Sequence, residues 1–423
     1  MSTDRMAPDV PASPAVAAPE GAGCPVRTGT AVRGCHRKAV RADDAARPAF
    51  EHRVTAAGER WVVRSFAAAR TVLRAEDAAL QAGFGAEDQQ LGDLRRPILY
   101  LDGPDHRAQR SATARYFAPK VTEGYRSMME TFADRLLTGF DAGRPVDLTR
   151  LSLQMAVRVA GQVIGLTDSP PGLTRRLEGL FRTGDAGPGP VGAVLGRLRR
   201  LNPMVFFALD VKPAIRARRK YPREDVISEL IKRGFSDLEI LTEALTFGAA
   251  GMATTREFIS VAAWHLLDDD GLRAHYLAAD ATERQAVLAE ILRVEPVVGH
   301  LYRRTTEPLT LTDGDETVEL PAGTLVDLDL RAVNAEAALV GADPLVVAPG
   351  RELPRGVGPS VLSFGDGHHR CPGNAIALLE SDILLSRLLA RDLEVVQPPQ
   401  LHWNDFIESY EIRDFVLRDR AGR

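Results

Sequence analysis

The chain has 423 residues, of which 45% are hydrophobic and 26% charged, and its formal net charge is −4 at pH 7. Such a composition belongs to ordinary globular proteins, and so small a net charge excludes a field strong enough to gather nucleic acid or an anionic membrane surface. Three cysteines, Cys24, Cys35 and Cys371, are too few and too scattered for a disulfide framework, which points to a reducing, cytoplasmic setting.

Residues 1–47 are rich in Ala, Pro, Gly and Arg without periodicity and read as a flexible N-terminal arm ahead of one large domain, 48–423. The arm has no signal-peptide core, and the chain has no run of about 18 apolar residues that a membrane span requires. Cys24 and Cys35, with only His36 beside them, read as free thiols rather than a metal site. Ordered structure begins at FEHRVTAAGERWVVRSF, whose alternation about Ala56-Ala57-Gly58 predicts a hairpin. From about 65 to 300 the text is helical. YRSMMETFADRLLTGF (125–140) and SLQMAVRVAGQVIGL (152–166) repeat apolar residues at three- and four-residue spacing. The stretch 237–270 is apolar on most faces and so predicts a helix through the middle of the domain. Beyond 305, LTLTDGDETVEL and TLVDLDL predict short strands. A Pro- and Gly-rich coil over 342–363 follows, then FGDGHHRCPG (364–373) and a last helix from Asn374. The expected fold is mainly α with a small β region.

FGDGHHRCPG places the one cysteine outside the arm after two histidines. Zinc fits it poorly, because His368, His369 and Cys371 leave no chain to wrap a tetrahedron and no second ligand pair lies nearby. A nucleophilic thiol has His369 close by but no protease-type signature around it. An iron-bound thiolate accounts for more residues. Gly365, Gly367 and Gly373 permit a tight loop that approaches a flat cofactor, Pro372 suits a first helical turn, and backbone N–H groups at a helix start stabilise a thiolate.

At this point the sequence resembles the cytochrome P-450 family of haem-thiolate monooxygenases. Its Phe-x-x-Gly-x-(His or Arg)-x-Cys-x-Gly signature is matched by Phe364, Gly367, His369, Cys371 and Gly373. The resemblance covers about residues 50–420. It implies the cytochrome P-450 fold with a buried haem b (iron protoporphyrin IX), Cys371 as axial iron ligand, His369 at a haem propionate, and Phe364 packed beside the sulfur. EILR supplies the family's E-x-x-R as Glu290 and Arg293, a pair that locks the structural core. DGPDHRAQR implies His106 and Arg110 as propionate partners, and Arg303 a third, in line with charge-assisted hydrogen bonding of carboxylates. AAGMATT (249–255) resembles the segment crossing the oxygen side of the haem, where Gly251 leaves space and Thr254 is the alcohol that hydrogen-bonds dioxygen. Ala253 stands where the family usually has an acid, "VNAEAAL" departs from its usual Asn-Arg-Asp, and Leu378 replaces a common Arg. Glu380 matches a family glutamate that reaches the threonine through water; pairing with an arginine is the plainer role for it and for Glu257.

The resemblance further implies oxidation of a small or medium organic molecule, with O2 and electrons from NAD(P)H through a ferredoxin reductase and a ferredoxin, since no nucleotide fingerprint is present. Arg115, Lys120 and Arg370 are candidates for the face that meets the ferredoxin. Gln81, Phe84, Phe247, Ala250, Val297, Val298 and His300 are candidate pocket residues, with Gln81 and His300 as polar anchors. An atypical haem-thiolate reaction (coupling, demethylation, dehydrogenation, nitration or peroxide-driven oxidation) stays open because of Ala253, and a non-catalytic haem sensor is a third reading.

Overall fold

The alternation of residues 50–63 becomes a hairpin, in which Phe50–Thr55 (β1) pairs antiparallel with Gly58–Val63 (β2) from Phe50 opposite Val63 to Thr55 opposite Gly58. The computed structural model describes residues 36–39, 47–55, 58–84, 94–140, 143–181, 201–404 and 408–421. Cys24, Cys35 and the turn residues Ala56 and Ala57 lie outside these. Ser65 then caps Phe66–Arg74 (α1) by accepting from Ala68 N, and the helix buries Ala68, Ala69, Val72 and Leu73. Ala79–Ala82 (β3) follows.

Gly103–Ala114 (α2) has proline in its first turn, and its buried residues are His106, Gln109 and Thr113. A helix that buries a polar stripe needs partners for it; these are the first sign of a site. Arg126–Thr138 (α3) and Leu148–Ile164 (α4) bury the apolar stripes their spacing predicts. The long apolar stretch forms one continuous helix, assembled from Asp237–Gly248 (α5), a π-helical turn Ala249–Ala253, and Thr254–Asp268 (α6). A Ser236–Glu239 capping box starts it. It is central because it is apolar on most sides: Phe258, Ile259, Val261, Ala262, Ala263 and Leu266 are all buried, each large side chain contributing about 1.5–3 kcal/mol.

Ala281–Val294 (α7) leads into His300–Thr305 (β4). Leu309–Asp313 (β5) and Glu316–Leu320 (β6) form the expected hairpin, and Leu325–Asp329 (β7) completes a five-stranded sheet ordered β1-β2-β7-β4-β3. Asn374–Leu389 (α8) packs beside the central helix, and Gln400–Asn404 (β8) pairs with Ser409–Arg413 (β9) near the end. A large core lies among the helices and a smaller one between α1 and the sheet.

One expectation is corrected. Four residues assigned to the flexible arm, 36–39, are docked on the domain. Arg37 is buried and donates through Nε to Val294 O (2.7 Å) and through Nη2 to Arg331 O (3.0 Å). The cause is the buried Glu295 carboxylate, which needs donors and takes them from the backbone N–H groups of Lys38 and Ala39 and from His265.

Candidate active site

The cysteine loop is held from two sides. Phe364 O accepts from Cys371 N at 2.8 Å and closes it. Gly365 and Gly367 adopt φ of +69° and +67°, and a Cβ on Gly367 would stand 2.1 Å from Leu73 O, so the loop lies directly on the end of α1. Asp366, between the two glycines, accepts from Arg70 Nε and Arg74 Nε of that helix, each at 2.9 Å. On the other side, Asn334 donates to Ser363 Oγ (2.7 Å) and accepts from Leu362 N, while Ser363 donates to Leu292 O of α7. Glu290 and Arg293 form a buried bidentate pair, both N···O distances 2.7 Å. Arg293 also donates to Asn334 O and Pro344 O, and Glu290 accepts from Arg351 and Ala348 N, so the pair ties α7 to the coil before the loop. Pro372, expected in the first helical turn, precedes the helix. Gly373 is the N-cap, and its N–H is directed to the cysteine sulfur.

Cys371 lines a cavity whose opposite wall is the central helix, with Phe247, Ala250, Gly251 and Thr255; Ala160, Val163 and Ile164 of α4 close one side, and Gly373, Ile376, Ala377 and Glu380 lie beside the cysteine. Burial pushes the thiol up, opposed by the Gly373 N–H and the charges of Arg110 and Arg370. The space beside Gly251 is bounded by Ala160, 3.8 Å from a Cβ built there. Phe247 stacks on Phe117 with 5.8 Å between rings. Thr254 donates its hydroxyl to Ala250 O at 2.5 Å, the back-bond of a mid-helix threonine. Thr254 is absent from the lining and Thr255 is present. A regular helix would put Thr254 on the face of Phe247, Ala250 and Gly251, but the π turn holds an extra residue and carries Thr255 onto that face.

Among the described residues Glu380 has no arginine partner, contrary to expectation. It is buried on α8 with Oε2 unpartnered. Burial pushes its carboxyl well above the ordinary carboxylate range, and only the Thr255 hydroxyl beside it opposes this. Glu257 does pair with arginines, Arg256 at 2.6 Å and Arg413 at 2.8 Å.

A second cluster gathers beside the loop. His106 stacks on His369 with ring centroids 4.1 Å apart, and His368 stands 4.5 Å from His369. Asp102, at the start of α2, accepts from Gln81 N (3.2 Å) and lies 3.2 Å from His369 Nε2. Arg303, paired in register with Gln81 across β3 and β4, is buried; desolvation lowers its pKa to about 10 against the pull of Asp102. His106 is lowered to about 4, first by burial and then by the neighbouring His369, His368 and Arg110. Arg110 reaches the Arg370 carbonyl and the field of Cys371. Among the described residues three buried nitrogens here make no hydrogen bond: His106 Nδ1, Arg303 Nε, and His368 Nε2, which stands 3.8 Å from Asp102 Oδ1.

Asp102, Asp366 and His368 were missed by sequence reasoning. Asp102 is the N-cap of the GPDHRAQR helix, and an Asp directly before the Gly-Pro helix start was the available signal for the first. Several expected pocket residues are not at the cavity. Gln81 serves Asp102 through its backbone. His300 lies on the face of β4 opposite Arg303, since alternate residues of a strand point apart, and binds Asp327 at 2.6 Å. Phe84 packs edge-on to Tyr302 on the same face, Val297 is in the helical core, and Val298 is partly buried away from the cavity. On the proposed docking face Lys120 and Arg370 are exposed, whereas Arg115 is tied to Glu229 at 3.0 Å.

The arrangement fits a flat iron porphyrin. One cavity is lined by both the cysteine and the Phe247, Ala250, Gly251 and Thr255 stretch of the central helix, and buried nitrogens without hydrogen bonds, such as native structures rarely leave unused, cluster by the same loop where carboxylates could be held. Comparison with known proteins agrees. The cytochrome P450 family model matches residues 284–406, the part with Glu290, Arg293, Arg303 and Cys371. Cytochrome P450 107B1 of Saccharopolyspora erythraea is 27% identical over 341 residues, 78% of this chain and 77% of the relative. Erythromycin C-12 hydroxylase of the same organism is 26% identical, covering 78% of this chain and 81% of the relative. Among solved structures, cytochrome P450 CYP109Q5 from Chondromyces apiculatus superposes with a TM-score of 0.70 at 25% identity, over 88% of this chain and 92% of that one. P450 OxyD, described as involved in the biosynthesis of vancomycin-type antibiotics, gives 0.70 at 22% identity over 90% and 94%. The chain belongs to the cytochrome P450 family and is a monooxygenase of its haem-dependent class.

Proposed function

We propose that Cys371 Sγ ligates the iron of haem b and that the protein oxidises a small or medium organic substrate of secondary metabolism, with electrons from NAD(P)H through a ferredoxin reductase and a ferredoxin. One observation carries this reading: Cys371 and the Phe247–Ala250–Gly251 face line one cavity, with the unpartnered nitrogens of His106, His368 and Arg303 clustered beside the same loop. When bound, haem supplies oxygen activation, and a thiolate ligand favours O–O cleavage.

The chain's own residues do the rest. The Gly373 N–H and nearby Arg110 and Arg370 stabilise negative charge on the sulfur. His106, His368, Arg303 and Arg110 hold the carboxylates, and Asp102 fixes the orientation of His369. Phe247 and Ala250 present apolar surface to the substrate. Thr255 presents its hydroxyl to the cavity with Thr254 next to it in the chain, and the Glu380 carboxyl, raised by burial so that its protonated form is favoured, stands beside the Thr255 hydroxyl. Ala253 can carry no proton, so delivery runs through these two threonines and solvent. That same gap favours a second reading, substrate-assisted or peroxide-driven oxidation. Lys120 and Arg370 suit an acidic ferredoxin, and the similarity to erythromycin C-12 hydroxylase supports a place in secondary metabolism.

The test is stoichiometry in a ferredoxin-coupled assay against a metabolite panel chosen by substrate-induced Soret shifts. Product per NAD(P)H should fall, and released peroxide rise, in Thr254→Ala. Full coupling in Thr254→Ala together with full coupling in Thr255→Ala would remove both alcohols from proton delivery and leave the second reading.

A further inference from the structure

The central helix carries a buried acid that the chemistry above does not use. Glu243 lies on α5, about two turns before Gly251, and is 1% exposed. Its Oε1 accepts two hydrogen bonds, from Ile98 N at 2.9 Å and from Gln109 Nε2 of α2. Its Oε2 is buried and has no hydrogen-bond partner among the described residues. One turn earlier, Glu239 accepts from Arg95 N at 3.2 Å. Two acids four residues apart on one helix therefore hold two backbone N–H groups of the segment 94–100. That segment runs directly into α2, and Gln109 neighbours Arg110 and lies one turn after His106.

We propose that Glu243 is a positioning residue for the haem site: clasped between segment 94–100 and Gln109, it holds α2, and with it His106 and Arg110, against the central helix, and protons control the strength of that hold. The proposal rests on the haem-carboxylate roles given to His106 and Arg110 above.

The geometry is that of a neutral acid. A carbonyl-type oxygen can accept both N–H groups, whereas a carboxylate would spread its charge onto an oxygen buried without a donor. Among the described residues no cation is paired with such a charge. Of the charged groups on the packed elements, Arg95 faces Glu239 and the ring of Phe235, Arg233 donates to Ala108 O, and His106 and Arg110 face the cysteine loop. Burial accordingly raises the carboxyl from 4.5 to about 7, opposed only by its two donors. Release of the segment returns the group to water and to its ordinary value. A group raised in the held state contributes fully below the released value and loses its contribution as pH rises through the held one. Linkage between 4.5 and about 7 weakens the hold about tenfold from pH 6 to pH 8.

The experiment is haem transfer from the holoenzyme to excess apomyoglobin, followed by absorbance at pH 6 and pH 8, in wild type, Glu243→Gln, Gln109→Leu and Arg110→Ala. Wild type should lose haem about tenfold faster at pH 8. Glu243→Gln keeps a carbonyl for both N–H groups and cannot ionise, so its rate should match wild type at pH 6 and stay there at pH 8. Gln109→Leu should lose haem faster at both. If Arg110→Ala speeds transfer but Glu243→Gln keeps the wild-type pH dependence, the Glu243 proposal is wrong. If Arg110→Ala leaves transfer unchanged, the haem-carboxylate reading beneath it is wrong instead.

Discussion

Three glycine-to-alanine changes in the cysteine loop separate backbone strain, steric conflict and chemistry. Gly365 has φ +69°, and the nearest atoms to a Cβ there, Leu301 Cδ1 at 3.7 Å and Arg370 Cα at 3.9 Å, are at ordinary contact distance. Gly365→Ala should therefore cost only the left-handed penalty, about 1–2 kcal/mol. Gly367 carries the same penalty at φ +67°, but its Cβ would also stand 2.1 Å from Leu73 O, a main-chain atom at the end of a packed helix that no rotamer change can clear. Overpacking of that kind adds about 1–3 kcal/mol, for a total of about 2–5 kcal/mol. Gly373 has φ −83°, and its Cβ would meet only Cys371 Sγ, at 3.9 Å. Gly373→Ala should leave the fold almost intact and alter the surroundings of the sulfur. Thermal melts and the ratio of Soret to protein absorbance report the two effects. The expected order of melting temperatures is Gly373→Ala, Gly365→Ala, Gly367→Ala, the last with the lowest haem content. A Gly367→Ala protein as stable and as haem-replete as Gly365→Ala would show that the loop does not rest on α1 as described.

Other outcomes follow from single residues. Arg303→Ala should lower haem occupancy after purification, since each lost partner of a buried carboxylate costs about 1–3 kcal/mol; occupancy equal to wild type would contradict its placement. Burial raises the Glu380 carboxyl well above the ordinary carboxylate range in the folded protein, so its contribution is present at acid pH and fades as pH rises above that range. Glu380→Gln should flatten that part of the stability–pH curve, measured by urea midpoints. Arg37→Ala leaves Val294 O and Arg331 O without their donor, at about 1–3 kcal/mol each, and should lower the urea midpoint although the residue lies far from the cysteine in sequence.

Much of the site was legible because its parts are local patterns. The cysteine loop is a run of ten residues, and the Glu290–Arg293 pair sits one helical turn apart. The central helix announced itself by being apolar on most sides. What stayed hidden depends on partners distant in the chain. Asp102 meets His369 across 267 positions and Arg37 meets Val294 across 257, and neither contact leaves a periodic trace. The exchange of Thr254 for Thr255 at the cavity comes from one π turn, which a 3.6-residue period cannot foresee. His300 lies outside the lining of the cysteine cavity for a reason that also depends on the fold. It lies three positions before Arg303 on one strand and so on the other face, and which face of the strand turns toward the cysteine loop is set by the five-stranded sheet around it.

The central claim is that Cys371 supplies a thiolate to haem iron. Its most direct test is the absorbance spectrum of the dithionite-reduced carbon monoxide complex, in wild type and in Cys371→Ala reconstituted with haem. Wild type should give the strongly red-shifted Soret band of thiolate ligation, and Cys371→Ala should lose it while segments remote from the loop keep their fold by circular dichroism. A red-shifted band that survives in Cys371→Ala would contradict the account.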